Sequence, residues 1–279
     1  MQTYIHKTIM TMIFLLHKLI GHNNIMGKNR GFEQEREVIN ELDDKLFSDV
    51  SPKYKHLMQN IGFNIKNNTK ISCQKKEGAR LEKKRDLVIK AESKSVNVSV
   101  KRGSQNSIHQ ENIHEFVNFL DSFSKLEESE KDLIYEFHWC DGTIDNTGKV
   151  EDRTDKSKYR KQNEVRYSQY MSVLNKYKEP IFYRAWIGTI NKPDYLVHFT
   201  KNEIRCYNFS DLLDYHLAYE NKNTVGILRM QNWNACLKGQ DCGHKTHLCD
   251  SSCPKPKNHT VKNRQDIQFK SIPIENIAL

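Results

Sequence analysis

Residues 86–101 hold the most constraining pattern in the chain. Asp86-Leu87-Val88-Ile89 is a short apolar run headed by an acid, Lys90 to Ser95 is polar and turn-like, and Val96-Asn97-Val98-Ser99-Val100-Lys101 then alternates strictly. Alternation at period two puts Val96, Val98 and Val100 on one face of a strand and Asn97, Ser99 and Lys101 on the other. The pair predicts a β-hairpin. Folding the hairpin about its turn brings Asp86 opposite Ser99 or Lys101, depending on the length of the turn.

Helical signals flank the hairpin. Residues 31–47 (GFEQEREVINELDDKLF) predict an amphipathic helix with Phe32, Ile39, Leu42 and Leu46 on one stripe. Glu35 falls on that stripe, where it either marks an exposed end or points an acid into a site. After a loop at 102–106, Ser107 suits a helix cap with Gln110 in the capping-box position. The spacing then predicts a helix over 108–124 that buries Ile113, Phe116, Val117, Leu120 and Phe123. Glu115 borders that face and Glu111 lies nearly opposite it. Residues 141–164 are polar and predict a long loop. Residues 181–190, 195–199, 225–230 and 265–270 read as strands, with a helix over Phe209–Tyr219. Strands and helices alternate without a clean βαβ period, which predicts a mixed α/β (α+β) fold.

Composition narrows the partners. The chain has 279 residues, enough for one large domain or one domain with an appended module. It carries 12 Phe, 12 Tyr and 3 Trp, aromatic mass sufficient for a real core. No apolar run approaches the roughly 20 residues of a membrane-spanning helix, so no membrane is expected. Lys and Arg number 44 against 35 Asp and Glu, a net charge of +9 that favours a polyanion, nucleic acid first. Seven cysteines cannot all pair within one chain, and four crowd into residues 236–253. That distribution predicts a reducing, cytoplasmic setting with one metal candidate. Residues 1–25 are apolar in part and precede Met26 and the first helical pattern. They are either an extension outside the fold or a packed N-terminal helix, and the domain is expected over 26–279.

The order Glu35 on a helix, Asp86 and Lys101 on paired strands, and an acid on the next helix has a chemical logic. Hydrolysis of a phosphodiester needs a cation to neutralise the phosphate, and Mg²⁺ prefers carboxylate oxygens while keeping several waters. It also needs a water of lowered pKa, which the metal supplies and a nearby amine can orient. Asp86 and a second carboxylate would hold the metal, and Lys101 would reach the attacking water or the scissile phosphate. The plain alternative is a cross-strand ion pair between Asp86 and Lys101 contributing about 0.2–1 kcal/mol.

Asp86 followed by Ser99-Val100-Lys101, the Arg102-Gly103-Ser104-Gln105-Asn106-Ser107 loop and an acidic helix resembles the core of type II restriction endonucleases of the PD-(D/E)xK superfamily. Arg85 stands in place of the proline before the Asp, and Ser99 in place of the second acid. Serine at that position is a feature of a swapped-motif branch, in which the second acid lies on the next helix, fourteen residues after the Lys. Glu115 occupies that position here, with Glu111 as the competing candidate, and Glu35 resembles the accessory acid of the first helix. The resemblance covers roughly residues 26–125. It implies a central mixed sheet flanked by helices and Mg²⁺-dependent, sequence-specific cleavage of double-stranded DNA leaving 5′-phosphate ends. It further implies a homodimer and a cognate DNA methyltransferase in the same system. A repair or structure-specific nuclease on the same core, or a zinc-stabilised DNA-binding protein without catalysis, are the alternative readings.

Cys236, Cys242, Cys249 and Cys253 lie within eighteen residues, interleaved with His244 and His247. Four thiolates suit one tetrahedral, structural Zn²⁺, with free thiols as the alternative reading, and replacement of one Cys by His244 or His247 stays open. Segment 231–264 then reads as a zinc-binding insertion between two strands, with its lysines facing DNA phosphates.

Overall fold

The computed structural model describes residues 30–75, 86–103, 107–145, 147–148, 156–188, 192–200, 203–232 and 266–277. The fold is mixed α/β, with a five-stranded mixed sheet flanked by helices and a second, three-stranded sheet. Residues 1–25, the four clustered cysteines and the remainder of the expected zinc segment up to 264 lie outside the described residues, apart from Gln231 and Asn232. No described helix is long and apolar enough to cross a membrane.

The first helix, α1 (Arg30–Leu42), is followed by α2 (Pro52–Asn60) and three antiparallel strands, β1 (Ile71–Lys75), β2 (Leu87–Ala91) and β3 (Lys94–Arg102). Helix α1 stops five residues short of the predicted end. Asp44 takes a left-handed φ of 61° there, and Leu46 leaves the helix to bridge Lys70. The buried side of α1 carries Glu35, Val38 and Leu42, while Phe32 and Leu46 are exposed. The predicted stripe was therefore rotated by one position, yet Glu35 is among the buried residues. As the alternation predicts, Val96, Val98 and Val100 are buried together with Leu87 and Ile89. The turn is shorter than the polar segment, only Glu92 and Ser93, with Glu92 at φ 54°.

Strand β3 next pairs in parallel with β5 (Tyr195–Phe199), which pairs antiparallel with β6 (Ile204–Asn208). Parallel neighbours cannot be joined by a tight turn. The connection from β3 to β5 carries β4 (Ser107–Asn112), α3 (Ile113–Phe123), α4 (Glu128–Trp139), α5 (Lys156–Gln162), α6 (Glu164–Lys176), α7 (Lys178–Phe182) and one π-helical turn at Tyr183–Ile187. After β6 come α8 (Phe209–Ala218), β7 (Leu228–Asn232) and β8 (Asp266–Ser271). Strands β4, β8 and β7 form the second sheet; the cysteine segment lies between two strands, as expected, and these strands pair antiparallel.

Two apolar cores result. One lies between α1, α2 and the valine face of β1–β3; the other gathers α3, α4, α6–α8 and the second sheet. Strand β5 belongs to both: Leu196 packs into the second core, Val197 and Phe199 into the first. A strand covered on both faces reads as a near-continuous apolar run, which Tyr195–Phe199 is apart from His198.

Four sequence expectations are corrected. Residues 107–112 form β4, not the start of a helix; α3 begins at Ile113, capped by the Asn112 side chain, which accepts from the His114 N–H at 2.8 Å. The inward side chains His109 and Glu111 find partners on Phe269 and Arg184, far along the chain, and tertiary pairing with β8 overrides the local helix signal. Residues 181–187 are helical rather than a strand, because a short apolar run does not by itself distinguish the two. The polar stretch 141–164 contains α5, held by the Tyr159 hydroxyl, which donates to Glu136 at 3.0 Å. Phe123, expected to be buried, is exposed.

The joint between α7, α8 and β7 is tight. His216 is fully buried, its Nδ1 accepts from the Ile227 N–H at 3.2 Å, and its Nε2–H therefore donates to the Lys178 carbonyl at 3.1 Å. Burial, the largest influence, pushes this imidazole down to about 4, so it is neutral. Gly226 has a φ of 52°, and a Cβ there would come within 2.5 Å of the ring and of the His216 carbonyl. Only glycine fits both the conformation and the space.

Candidate active site

The register of β2 with β3 pairs Leu87 with Val98, and Asp86 stands one residue beyond, opposite Ser99. Of the two registers open in the sequence, the short turn selects this one. The Asp86 N–H donates to the Val98 carbonyl at 2.8 Å. Its Oδ2 accepts from the Val100 N–H at 2.6 Å and from the Ser99 hydroxyl at 3.1 Å. Lys101 Nζ lies 3.5 Å from the same oxygen and donates to the Val100 carbonyl at 3.1 Å. Asp86 Oδ1 accepts no hydrogen bond among the described residues. Ser99 is buried, whereas the Asp86 and Lys101 side chains are 26% and 20% exposed, so solvent reaches the charged pair but not the hydroxyl that steadies it.

The strand that carries Lys101 is held at its end. Lys101 pairs in register with His198 of β5, a fully buried residue whose Nε2 meets the Gly103 carbonyl at 2.7 Å. Gly103 has φ 81° and its N–H donates to the Phe199 carbonyl at 3.2 Å. The site therefore sits at the carboxyl ends of the two parallel strands. In open α/β sheets that is where loops diverge and ligands bind.

Glu35 is buried on α1 and pairs with Lys75 at the end of β1, Nζ to Oε2 2.5 Å, with Lys75 also 4.3 Å from the Phe32 ring centroid. Glu35 and Lys75 lie toward the helical side of the sheet, with Val98 and Val100; Asp86, Ser99 and Lys101 share the opposite face. Glu115 is exposed on the first turn of α3. Glu111 is buried on β4, where it receives both a bidentate pair from Arg184, Nη2 to Oε2 2.6 Å, and His109 Nε2 at 3.0 Å. The structure thus brings Asp86, Ser99 and Lys101 together, and gives Glu35 and Glu111 basic partners of their own. Among the described residues no three His, Cys, Asp or Glu side chains are grouped to hold a metal ion.

Sequence reasoning missed Lys75, Arg184 and His198. Lys75 had no signal, standing in a charged run. Arg184 was visible as the one charge inside the apolar run Ile181–Ile190, and His198 as the polar residue of an otherwise apolar strand. Of the cysteines outside the cluster, Cys73 and Cys206 are thiols that burial pushes up to about 12, which keeps them protonated.

Comparison with models of known protein families finds no match, and comparison with curated proteins finds none either.

The Glu111 cluster makes a stability prediction. Burial, the largest single influence, pushes its carboxyl up, but the hydrogen bonds and charges of His109 and Arg184 outweigh it and hold the group below the ordinary carboxylate range. A depressed carboxyl stabilises the fold above its unfolded pKa of about 4.3, and that contribution is lost as pH falls through the lower folded value. Glu111→Gln should therefore cost about 3 kcal/mol near neutrality, the scale for breaking a buried pair. It should also flatten the acid limb of stability below about pH 4.3. Urea denaturation across pH 3–7 measures both; an unchanged midpoint and acid limb would contradict the assignment.

Proposed function

We propose that the chain is an Mg²⁺-dependent, sequence-specific endonuclease of double-stranded DNA, similar to type II restriction enzymes of the PD-(D/E)xK superfamily. The single observation that carries this reading is the Asp86–Ser99–Lys101 constellation at the carboxyl end of β3, beside its parallel neighbour β5. Support also comes from the sheet: a mixed sheet with helices against it is the architecture the resemblance implies.

The donor set fits a magnesium ion. Asp86 offers one oxygen that accepts no hydrogen bond among the described residues, the Val100 carbonyl lies within reach of the same ammonium, and Mg²⁺ keeps most of its waters when bound by one or two carboxylates. Bound there, the ion supplies a water of lowered pKa and neutralises phosphate charge. Glu115 is the second carboxylate of this reading, because Glu111 is committed to Arg184 and His109. Lys101 orients the attacking water against the phosphate and stabilises charge on it. Ser99 and the Val100 N–H hold Asp86 Oδ2, so the other oxygen is the one that would hold the ion. Glu35, the accessory acid that the resemblance implies, lies on the other face of the sheet paired with Lys75 and takes no part in this reading. Products are 5′-phosphate and 3′-hydroxyl ends. The enzyme acts as a homodimer on twofold-symmetric sites, in the cytoplasm, beside a methyltransferase that protects host DNA.

Full-length protein incubated with long unmethylated DNA and Mg²⁺ should release discrete fragments, and Lys101→Ala should reduce the rate by at least about a hundredfold, the scale of a lost charge-stabilising group. Fragments without a fixed end sequence would instead favour a repair or structure-specific nuclease. Binding that survives EDTA, with no nicking under any divalent ion, would favour a DNA-binding protein without catalysis.

The cysteine segment enters this reading as a structural element. Cys236, Cys242, Cys249 and Cys253 bind one Zn²⁺, and the ordered segment presents its lysines to the DNA backbone. Metal analysis of purified protein should find about one zinc per chain, fewer in Cys242→Ser. Protein that folds and binds DNA with no zinc overturns this.

A further inference from the structure

A groove of about 410 Å³ runs over the face of the first three strands, lined by Ser72, Gln74, Lys75, Val88, Lys90, Ser95 and Asn97. Its floor is Val88, paired in register with Gln74 on one side and Asn97 on the other. Asp86 and Ser99 follow on the same face two residues further along, a step of about 7 Å, the scale of one nucleotide. Groove and charged pair are thus one continuous surface. The side chains on this face are mostly hydrogen-bond donors: the Lys90 ammonium, two amides and two hydroxyls over one apolar side chain, while the Lys75 ammonium turns to Glu35 on the other face. Lys90 is exposed and forms no ion pair among the described residues.

The other end of this face differs in sign. Beyond Ser72, Gln74 and Lys90 a second depression is lined by Asp43, Asp44 and Glu92, with Lys70 bound to Asp44 at 2.6 Å. A polyanion entering from Asp86 meets cations and amides first and carboxylates afterwards, which limits it to a short stretch of strand.

Resting on the endonuclease reading, we propose that this groove binds the phosphodiester backbone of the DNA strand to one side of the scissile phosphate. Lys90 makes a phosphate contact there, and Gln74, Ser95 and Asn97 supply neutral donors. Backbone contacts of this kind set register without reading sequence. The groove therefore positions the strand on Asp86 and Lys101 whatever the recognition site is.

The test is binding of the full-length protein to a short fluorescein-labelled DNA duplex in EDTA, read by anisotropy over a salt series, with cleavage in Mg²⁺ assayed separately. Lys90→Ala should weaken binding roughly tenfold, as for loss of a charged hydrogen bond, and reduce the slope of log K against log salt by about one. Ser95→Glu, which sets a carboxylate in the groove, should weaken it further. Both positions are exposed, so thermal melting should not change. Lys222→Ala, an equal change of net charge elsewhere, should move neither affinity nor slope. Wild-type affinity in Lys90→Ala and Ser95→Glu, while the native protein still cuts DNA, would overturn the groove and leave the endonuclease reading standing. Groove-dependent binding with no cleavage under any divalent ion would do the reverse. An equal loss from Lys222→Ala, or no binding of DNA by the native protein, would overturn the proposal outright.

Discussion

The parallel pairing of β3 with β5, from Val98 opposite Tyr195 to Arg102 opposite Phe199, is the constraint on which the rest of the structure depends. It forces the chain out of the first sheet after Arg102 and back only at Tyr195, and the residues between build most of the second core. It buries β5 on both faces, so one strand welds the two cores together. It also sets Lys101 beside His198, whose ring meets the carbonyl of Gly103 and fixes where β3 ends. A hairpin alone would have carried Asp86 and Lys101 on a frayed edge; with β5 alongside, they stand on the interior of a five-stranded sheet.

Charge is distributed accordingly. Glu35, Glu111 and Glu136 are buried, and each meets a base from another element: Lys75, Arg184 (joined by His109 of Glu111's own strand) and Arg166, whose Nε donates to Glu136 at 2.9 Å. Breaking one of these pairs leaves an uncompensated buried charge, which makes them rigid joints between elements. Asp86 is different. Three donors converge on its Oδ2, the side chain is reached by solvent, and Lys101 divides itself between that oxygen and the Val100 carbonyl. The joints are closed; this cluster keeps coordination capacity, which is what a metal-dependent site requires.

The hairpin was legible because its signal is local: alternation at period two defines the buried face, and the acid and the lysine then fall on the other. The pairing of Asp86 with Ser99 needed the turn length, which the polar run Lys90–Ser95 overstates, since its outer residues extend the strands. Residues 107–112 were misread for the opposite reason. His109 and Glu111 are buried by contacts with Phe269 and Arg184, more than 70 positions away, and no local pattern reports such partners. Glu35 was legible as an anomaly on a helical stripe, although the stripe itself is displaced, but its partner Lys75 was one lysine among many. The parallel strand β5 was recognisable as a strand and not as the neighbour of β3, because register between distant segments leaves no trace in either.

The central claim is that Asp86 holds a divalent cation beside Lys101. Manganese, which replaces magnesium on oxygen ligands and is paramagnetic, can be titrated into the full-length protein and into Asp86→Asn while free ion is followed by its electron paramagnetic resonance signal. The account predicts a saturable site in the native protein that Asp86→Asn removes while the fold is retained. Equal manganese binding by the two proteins would contradict it.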